Sequence, residues 1–363
     1  MQERKYNYDL LRIVSTVAVI SIHVSANYLD AIDSAKWLGI YYTKHILVST
    51  LFNILGRFAV PCFVMMSGAF NLDDKRNADY TFYYKKTFKK IGIPTILFSI
   101  VYFAYSLLND VILSSTGESF LKKILGVLKT AFTGNLYYHM WYLYMMAGIY
   151  LLVPLIIRLK EDIGERKFEK LTYVFGGASL LGLWTSTHKL QWDPGLSICY
   201  LGYFMLGYII KKKTENRSNN VRAFLMIGMG VFLLFSVGYY KYIQKTYGIE
   251  DLGLLQSVFS PIGPLIGISS ILIFIGFSEL IYKRNIVKLS NAVFGIYLFH
   301  AGVWDFLSKS VTEKMDNRIV IPFMIVATFF VSLVVYSFGK RIWNRIETRW
   351  LVSEKICQVI HLK

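Results

Sequence analysis

The chain has 363 residues, of which 55% are hydrophobic and only 17% charged, with a mean hydropathy of +0.44. A soluble domain carries about 25% charged residues, so disorder, a fibrous repeat and an ordinary cytosolic enzyme are excluded, leaving a polytopic membrane protein as the leading class. Lys and Arg number 40 against 23 Asp and Glu, a net +17. The basic residues fall between apolar runs, so the excess reads as membrane topology and not as nucleic-acid contact.

A helix needs about 20 apolar residues to cross the hydrocarbon core. Ten segments qualify as candidates: 10–28, 45–70, 91–108, 140–157, 171–184, 195–210, 223–240, 254–281, 291–307 and 319–338. The expected fold is therefore all-α, a transmembrane bundle of about ten helices. Val24-Ser25-Ala26 imitates a signal-peptidase site, but Asp9 and Arg12 interrupt the start and the apolar stretch is long, which favours an uncleaved first helix. Basic clusters recur in every second connection: Lys75, Arg76, Lys85, Lys86, Lys89 and Lys90; then Arg158, Lys160, Arg166, Lys167 and Lys170; then Lys211–Lys213, Arg217 and Arg222; then Lys283, Arg284 and Lys288. These connections and both termini are expected in the cytoplasm. Residues 1–339 form the membrane domain. Residues 340–363, with Arg341, Arg345 and Arg349 at four-residue spacing, read as an amphipathic cytoplasmic tail lying on the inner leaflet.

Ionisable groups inside membrane segments are costly and mark functional candidates. Arg12 and His23 lie eleven positions apart. At about 100° and 1.5 Å per residue they share one helix face, about 16 Å apart along the axis. A cation at the mouth and an imidazole in the interior describe a binding tunnel with chemistry at its end. A snorkelling Arg and a packed, hydrogen-bonded His describe the same spacing without function. Arg57 falls inside the second segment, where it needs a carboxylate, a water cavity or an anionic ligand, because Arg keeps its charge. Asp9 is a possible partner for an Arg. Pro61 removes the partner of the Arg57 carbonyl, four residues back, and predicts a kink. His139-Met140-Trp141-Tyr142-Leu143 marks the outer edge of the fourth segment, where Trp and Tyr also make ordinary aromatic belts. His300 lies near mid-membrane in the ninth segment, with Asp305 beyond it.

No phosphate-binding loop, nucleophile elbow or zinc-protease motif occurs. Cys62, Cys199 and Cys357 have no metal-site spacing; neither a metal nor a permanently bound cofactor is expected. Four blocks do carry a resemblance. Arg12, ten intervening residues and His23 resemble the first-helix signature of the acyltransferase family 3 membrane proteins. Arg57…Val60-Pro61…Phe63…Ser67-Gly68 is similar to the second block of that family. His139-x-Trp141-Tyr142-Leu143 and Gly295-Ile296-Tyr297-Leu298-Phe299-His300 resemble two later ones.

The resemblance implies an enzyme that takes an acyl group, usually acetyl, from cytoplasmic acyl-CoA. It passes the group to a hydroxyl of a cell-surface glycan or its lipid-linked precursor, from a multi-pass position in a bacterial cytoplasmic membrane. His23 and Arg57 become the catalytic candidates, His23 as general base or as acyl carrier. Arg12 with Lys85, Lys86 and Lys89 becomes the set for the CoA phosphates. Asp9, Ser67, His139, Trp141, Tyr142, Tyr297 and His300 support the acceptor or the structure, with loop 109–139 as the acceptor-facing surface. Some family members carry an extracytoplasmic hydrolase-like domain; this sequence ends soon after its tenth segment, so direct transfer, a partner protein and a homo-oligomer all stay open. The rival reading is an exporter of a glycan or other anion.

Overall fold

A computed structural model of the chain describes residues 6–34, 40–108, 119–132, 137–185, 194–248, 257–309 and 316–360. Among these residues there are helices and no strands. In chain order they are α1 (Tyr6–Ser34), α2 (Ile40–Leu55), α3 (Ala59–Asn71), α4 (Tyr80–Thr87), α5 (Ile93–Ser106), α6 (Phe120–Phe132), α7 (Trp141–Ile163) and α8 (Glu165–Thr185). Then come α9 (Pro194–Thr214), α10 (Asn220–Tyr247), α11 (Pro264–Glu279), α12 (Val287–Ser308) and α13 (Asn317–Ile360).

Six stretches are long and apolar enough to cross a membrane: Tyr6–Leu29, His45–Asn71, Tyr80–Ser106, Trp141–Ile163, Asn220–Tyr247 and Asn317–Ile342, with Pro264–Glu279 as a shorter apolar helix. The protein is a helical membrane bundle, but only six of the ten expected segments meet these limits among the described residues. Within segment 254–281, α11 begins at Pro264, where the fixed φ of proline suits a first turn. The helix of segment 171–184 begins earlier, at Glu165, inside a charged stretch.

Three boundaries depart from expectation. Segment 45–70 is two helices, broken by a turn at residues 56–58, where Arg57 and Ala59 bond back only three residues to Ile54 and Gly56. Lys85, Lys86, Lys89 and Lys90 lie within α4 and a π turn, Phe88–Gly92, that joins it to α5. At the end of the chain, α13 runs through Gly339 to Ile360 without interruption, so no break in the helix marks the 339/340 boundary.

The helix α1 sits centrally, packed on α2, α3, α12 and α13. Ser21 donates to the Phe52 carbonyl at 2.8 Å and Asn53 to the Ile22 carbonyl at 3.1 Å, pinning α2 to α1 at mid-depth. The helix α3 crosses α9 at backbone contact: a Cβ on Gly68 would overlap the Phe204 carbonyl, and one on Gly207 would overlap the Met65 carbonyl. Small residues let membrane helices approach this closely. Lys160 closes the C-terminal end of α3 by donating to the Leu72 carbonyl at 2.5 Å. Arg222 pairs with the buried Glu279 at 2.8 Å and holds the end of α11 against the start of α10.

Candidate active site

Because α1 is continuous, Arg12 and His23 keep the shared face that their spacing predicts. At the N-terminal end, Arg12 Nη1 meets Asp9 Oδ1 at 3.1 Å, and Asp9 also accepts from Ser290 Oγ at 2.6 Å. Asp9 is buried, whereas the Arg12 side chain is 32% exposed. Asp9 is thus a partner of Arg12, in the next turn of the same helix. The Arg12 guanidinium lies 5.2 Å from the Phe70 ring centre, and Lys211 Nζ lies 5.5 Å from the same ring. Lys90 is within electrostatic range of Arg12. Lys86 is tied to Asn77 and Asp74 at 3.1 and 3.7 Å, and Lys85 and Lys89 are exposed.

At the other end three histidines converge. The His23 ring centre is 5.3 Å from that of His300, which is 5.2 Å from that of His139. His300 Nδ1 lies 2.5 Å from the Tyr297 carbonyl. A carbonyl only accepts, so Nδ1 carries the proton and Nε2 the lone pair. That Nε2 is buried and has no hydrogen-bond partner among the described residues, while the His139 ring lies beside the Leu298 backbone. Tyr297 donates its hydroxyl to the His139 carbonyl and fixes the turn before α7. Tyr142 packs on Tyr297 and Phe63 with ring centres 5.5 and 6.3 Å apart. Tyr138 covers His23 at 4.8 Å and, with Tyr137, donates to the Asp305 carboxylate.

Arg57 occupies the turn between α2 and α3. Its Nε and Nη2 donate to Asn53 Oδ1 at 3.2 and 2.8 Å. No carboxylate pairs with it among the described residues, and its charge acts on His23 and Tyr200. Both Arg57 and His23 retain accessible surface at this depth, while His139 and His300 are 1% exposed. The first two therefore border open space inside the bundle and the second two back them.

A strip along α3 connects the two ends. Val60, Phe63, Ser67, Phe70 and Asn71 are accessible, while Pro61, Cys62, Val64, Met65, Met66, Gly68 and Ala69 are buried. Spacings of three and four place the accessible set on one face. Phe63 meets Tyr142, Ser67 bonds the Tyr150 hydroxyl at 2.8 Å, and Phe70 lies against Arg12. From Arg57 to Phe70 the rise is about 20 Å, which parallels the Arg12–His23 interval on α1.

The structure joins His23, Arg57, His139, His300, Tyr297 and Tyr142 in one cluster, with Arg12 and Asp9 at the far end of the strip and Ser67 along it. Trp141 is part-buried against Tyr142 and Tyr200. In loop 109–139, residues 109–118 and 133–136 lie outside the described residues; the rest holds α6 and Tyr137 to His139. Asn53, Tyr102, Tyr137 and Tyr138 were not singled out by sequence. The Tyr137-Tyr138-His139 run and the Asn53–Arg57 spacing of four were the available signals.

A helical membrane bundle with a cation-to-imidazole interior route defines the class. A family model described as an acyltransferase domain, that of acyltransferase family 3, matches residues 5–337, and the chain belongs to this family. It is a membrane acyltransferase. No curated protein and no solved structure matched the chain.

Proposed function

We propose that the protein transfers an acyl group, acetyl in the first instance, from cytoplasmic acyl-CoA to a hydroxyl of a cell-surface glycan or its lipid-linked precursor, in a bacterial cytoplasmic membrane. The observation that carries this reading is Arg57: a guanidinium deep in the bundle, anchored among the described residues by neutral Asn53 and beside His23. A fixed cation without a carboxylate suits the negative charge that develops on a carbonyl oxygen under attack. Arg12 and Lys90 lie at the basic end, where phosphates of CoA would bind. The pantetheine arm follows the accessible strip of α3 and sets the thioester beside His23. His23 takes the proton of the acceptor hydroxyl as its oxygen bonds to the acyl carbon. The carbon–sulfur bond then breaks, and the thiolate leaves with that proton as free CoA.

The test is acyl transfer by the purified protein, read as thiol release from labelled acetyl-CoA and label in extracted glycan. His23→Ala is expected to lower the rate about 10²–10⁴-fold and Arg57→Gln about 10²–10³-fold, with both variants still inserted and folded. A strain lacking the protein is expected to make normal amounts of surface polysaccharide without acyl groups. Polymer held inside the cell, with acylation of the remainder intact, would establish the exporter reading instead.

A further inference from the structure

Between the α4–α5 arm and α7 lies a groove of about 590 Å³, lined by Thr87, Ile91, Thr95 and Ser99 on one side and by Tyr144 and Leu151 on the other. The arm is weakly held. Only 6% of its apolar 18-residue core stretch is buried, against 44% of the corresponding stretch of α7. The polar groups of the groove are occupied: Ser99 bonds the Tyr144 hydroxyl at 3.1 Å, Thr95 donates to the Ile91 carbonyl, and Tyr84 donates to the Leu151 carbonyl. What remains facing the gap is hydrocarbon. The π turn shapes it, for the Phe88 ring lies on Gly92, where a Cβ would come within 2.7 Å of Phe88 Cδ2.

Charge divides around this arm. Lys90 faces Arg12. Lys85 and Lys89 are exposed and sit one position beyond the groove-lining Tyr84 and Phe88. Both therefore stand at the groove's basic end, beside side chains that line it. The rise from Lys85 to Ser99 is about 21 Å, which matches half of a bilayer of about 40–45 Å. A row of hydrocarbon one leaflet long, ending in two cations, is complementary to one molecule: a lipid with a phosphate head.

We propose that this groove binds an anionic phospholipid of the cytoplasmic leaflet, its phosphate on Lys85 and Lys89 and one acyl chain laid between α5 and α7. The site is independent of acyl transfer. Its wall includes Tyr150, whose hydroxyl bonds Ser67 on the accessible strip of α3, so the lipid braces the arm beside the interior route.

The test uses the full chain in nanodiscs of phosphatidylcholine with a minor fraction of phosphatidylglycerol carrying a mid-chain photoreactive diazirine. Label is expected in peptides covering 84–103 and 144–151. Lys85→Ala combined with Lys89→Ala should lower it at least about fivefold, and Ala147→Trp should block it by filling the groove. Lys167→Ala with Lys170→Ala, an exposed basic pair on α8, should leave it unchanged. Equal labelling by a phosphatidylcholine probe, or no loss in the Lys85/Lys89 double variant, would reduce the groove to ordinary boundary lipid and overturn the proposal. Displacement of the label by equimolar polyprenyl phosphate would also overturn it, and assign the groove to a lipid-linked sugar carrier.

Discussion

His300 illustrates how a backbone carbonyl sets the chemistry of a side chain. With Nδ1–H committed to Tyr297, Nε2 presents a lone pair toward a space shared with His23 and His139. Buried polar atoms rarely stay unpaired without a reason, and the His300 Nε2, unpaired among the described residues beside His23, suits a group that passes its proton on. His300→Ala is expected to lower kcat at least about tenfold with KM for acyl-CoA within about twofold, measured by steady-state thiol release. Unchanged kcat would make His300 a packing residue. Arg12→Ala is expected to act in the opposite sense, raising KM for acyl-CoA with little change in kcat, because its proposed contacts are to phosphates far from the reacting bond. Asn53→Leu keeps the volume of the side chain and removes the one hydrogen-bond anchor that Arg57 has among the described residues; it should reduce kcat by about tenfold or more through a misplaced guanidinium.

Among the elements, the α3–α9 crossing determines where the accessible strip points. Gly68→Ala or Gly207→Ala forces the two backbones apart, since the atom opposite is a main-chain carbonyl that cannot rotate away. Overpacking of this kind costs about 1–3 kcal/mol, and thermal unfolding in detergent should show it as a lower Tm. Gly177, with open space around its Cβ position, is the matched control, and Gly177→Ala should leave Tm near the parent value. At the start of α13, Asp316 accepts from the Arg318 backbone N–H at 2.9 Å and from its guanidinium, which holds the Asp316 carboxyl at about 2. The folded-state value lies below the unfolded value of about 3.9, so this cap contributes fully above that pH and is lost as pH falls through about 2. The effect of Asp316→Asn on helix stability should therefore appear at neutral pH and vanish below about pH 2.

At the scale of the molecule, the acyl-transfer reading needs donor and acceptor to approach from opposite sides. The positive-inside rule predicts that the Arg12 end faces the cytoplasm. In a chain freed of native cysteines, Ser218→Cys should react with an impermeant thiol reagent only after the membrane is opened. Ser186→Cys, outside the described residues, should react in intact cells. The reverse pattern would remove the inside-donor mechanism along with the orientation. Labelling efficiency of the two sites in whole cells and in lysate settles the matter.

Composition and hydropathy alone determined the class, because a chain this apolar has no soluble way to bury its helices. The Arg12–His23 relation was also legible, since a rigid helical period converts a spacing into a shared face. Order and residue type in four blocks carried the family. The break at Arg57 was only half legible: Pro61 announced a disturbed backbone, but the hydrophobic run hid two helices inside one apolar segment. What tertiary structure alone decided is which polar residues meet. His139 and His300 are 161 positions apart in the chain, and no local pattern records that the rings of His139 and His23 both meet that of His300. Nor does hydropathy distinguish Lys90 from Lys85 and Lys89: all three read as one basic cluster, and only the folded chain brings Lys90 within electrostatic range of Arg12. Long-range contact is a property of packing, and packing depends on every helix at once.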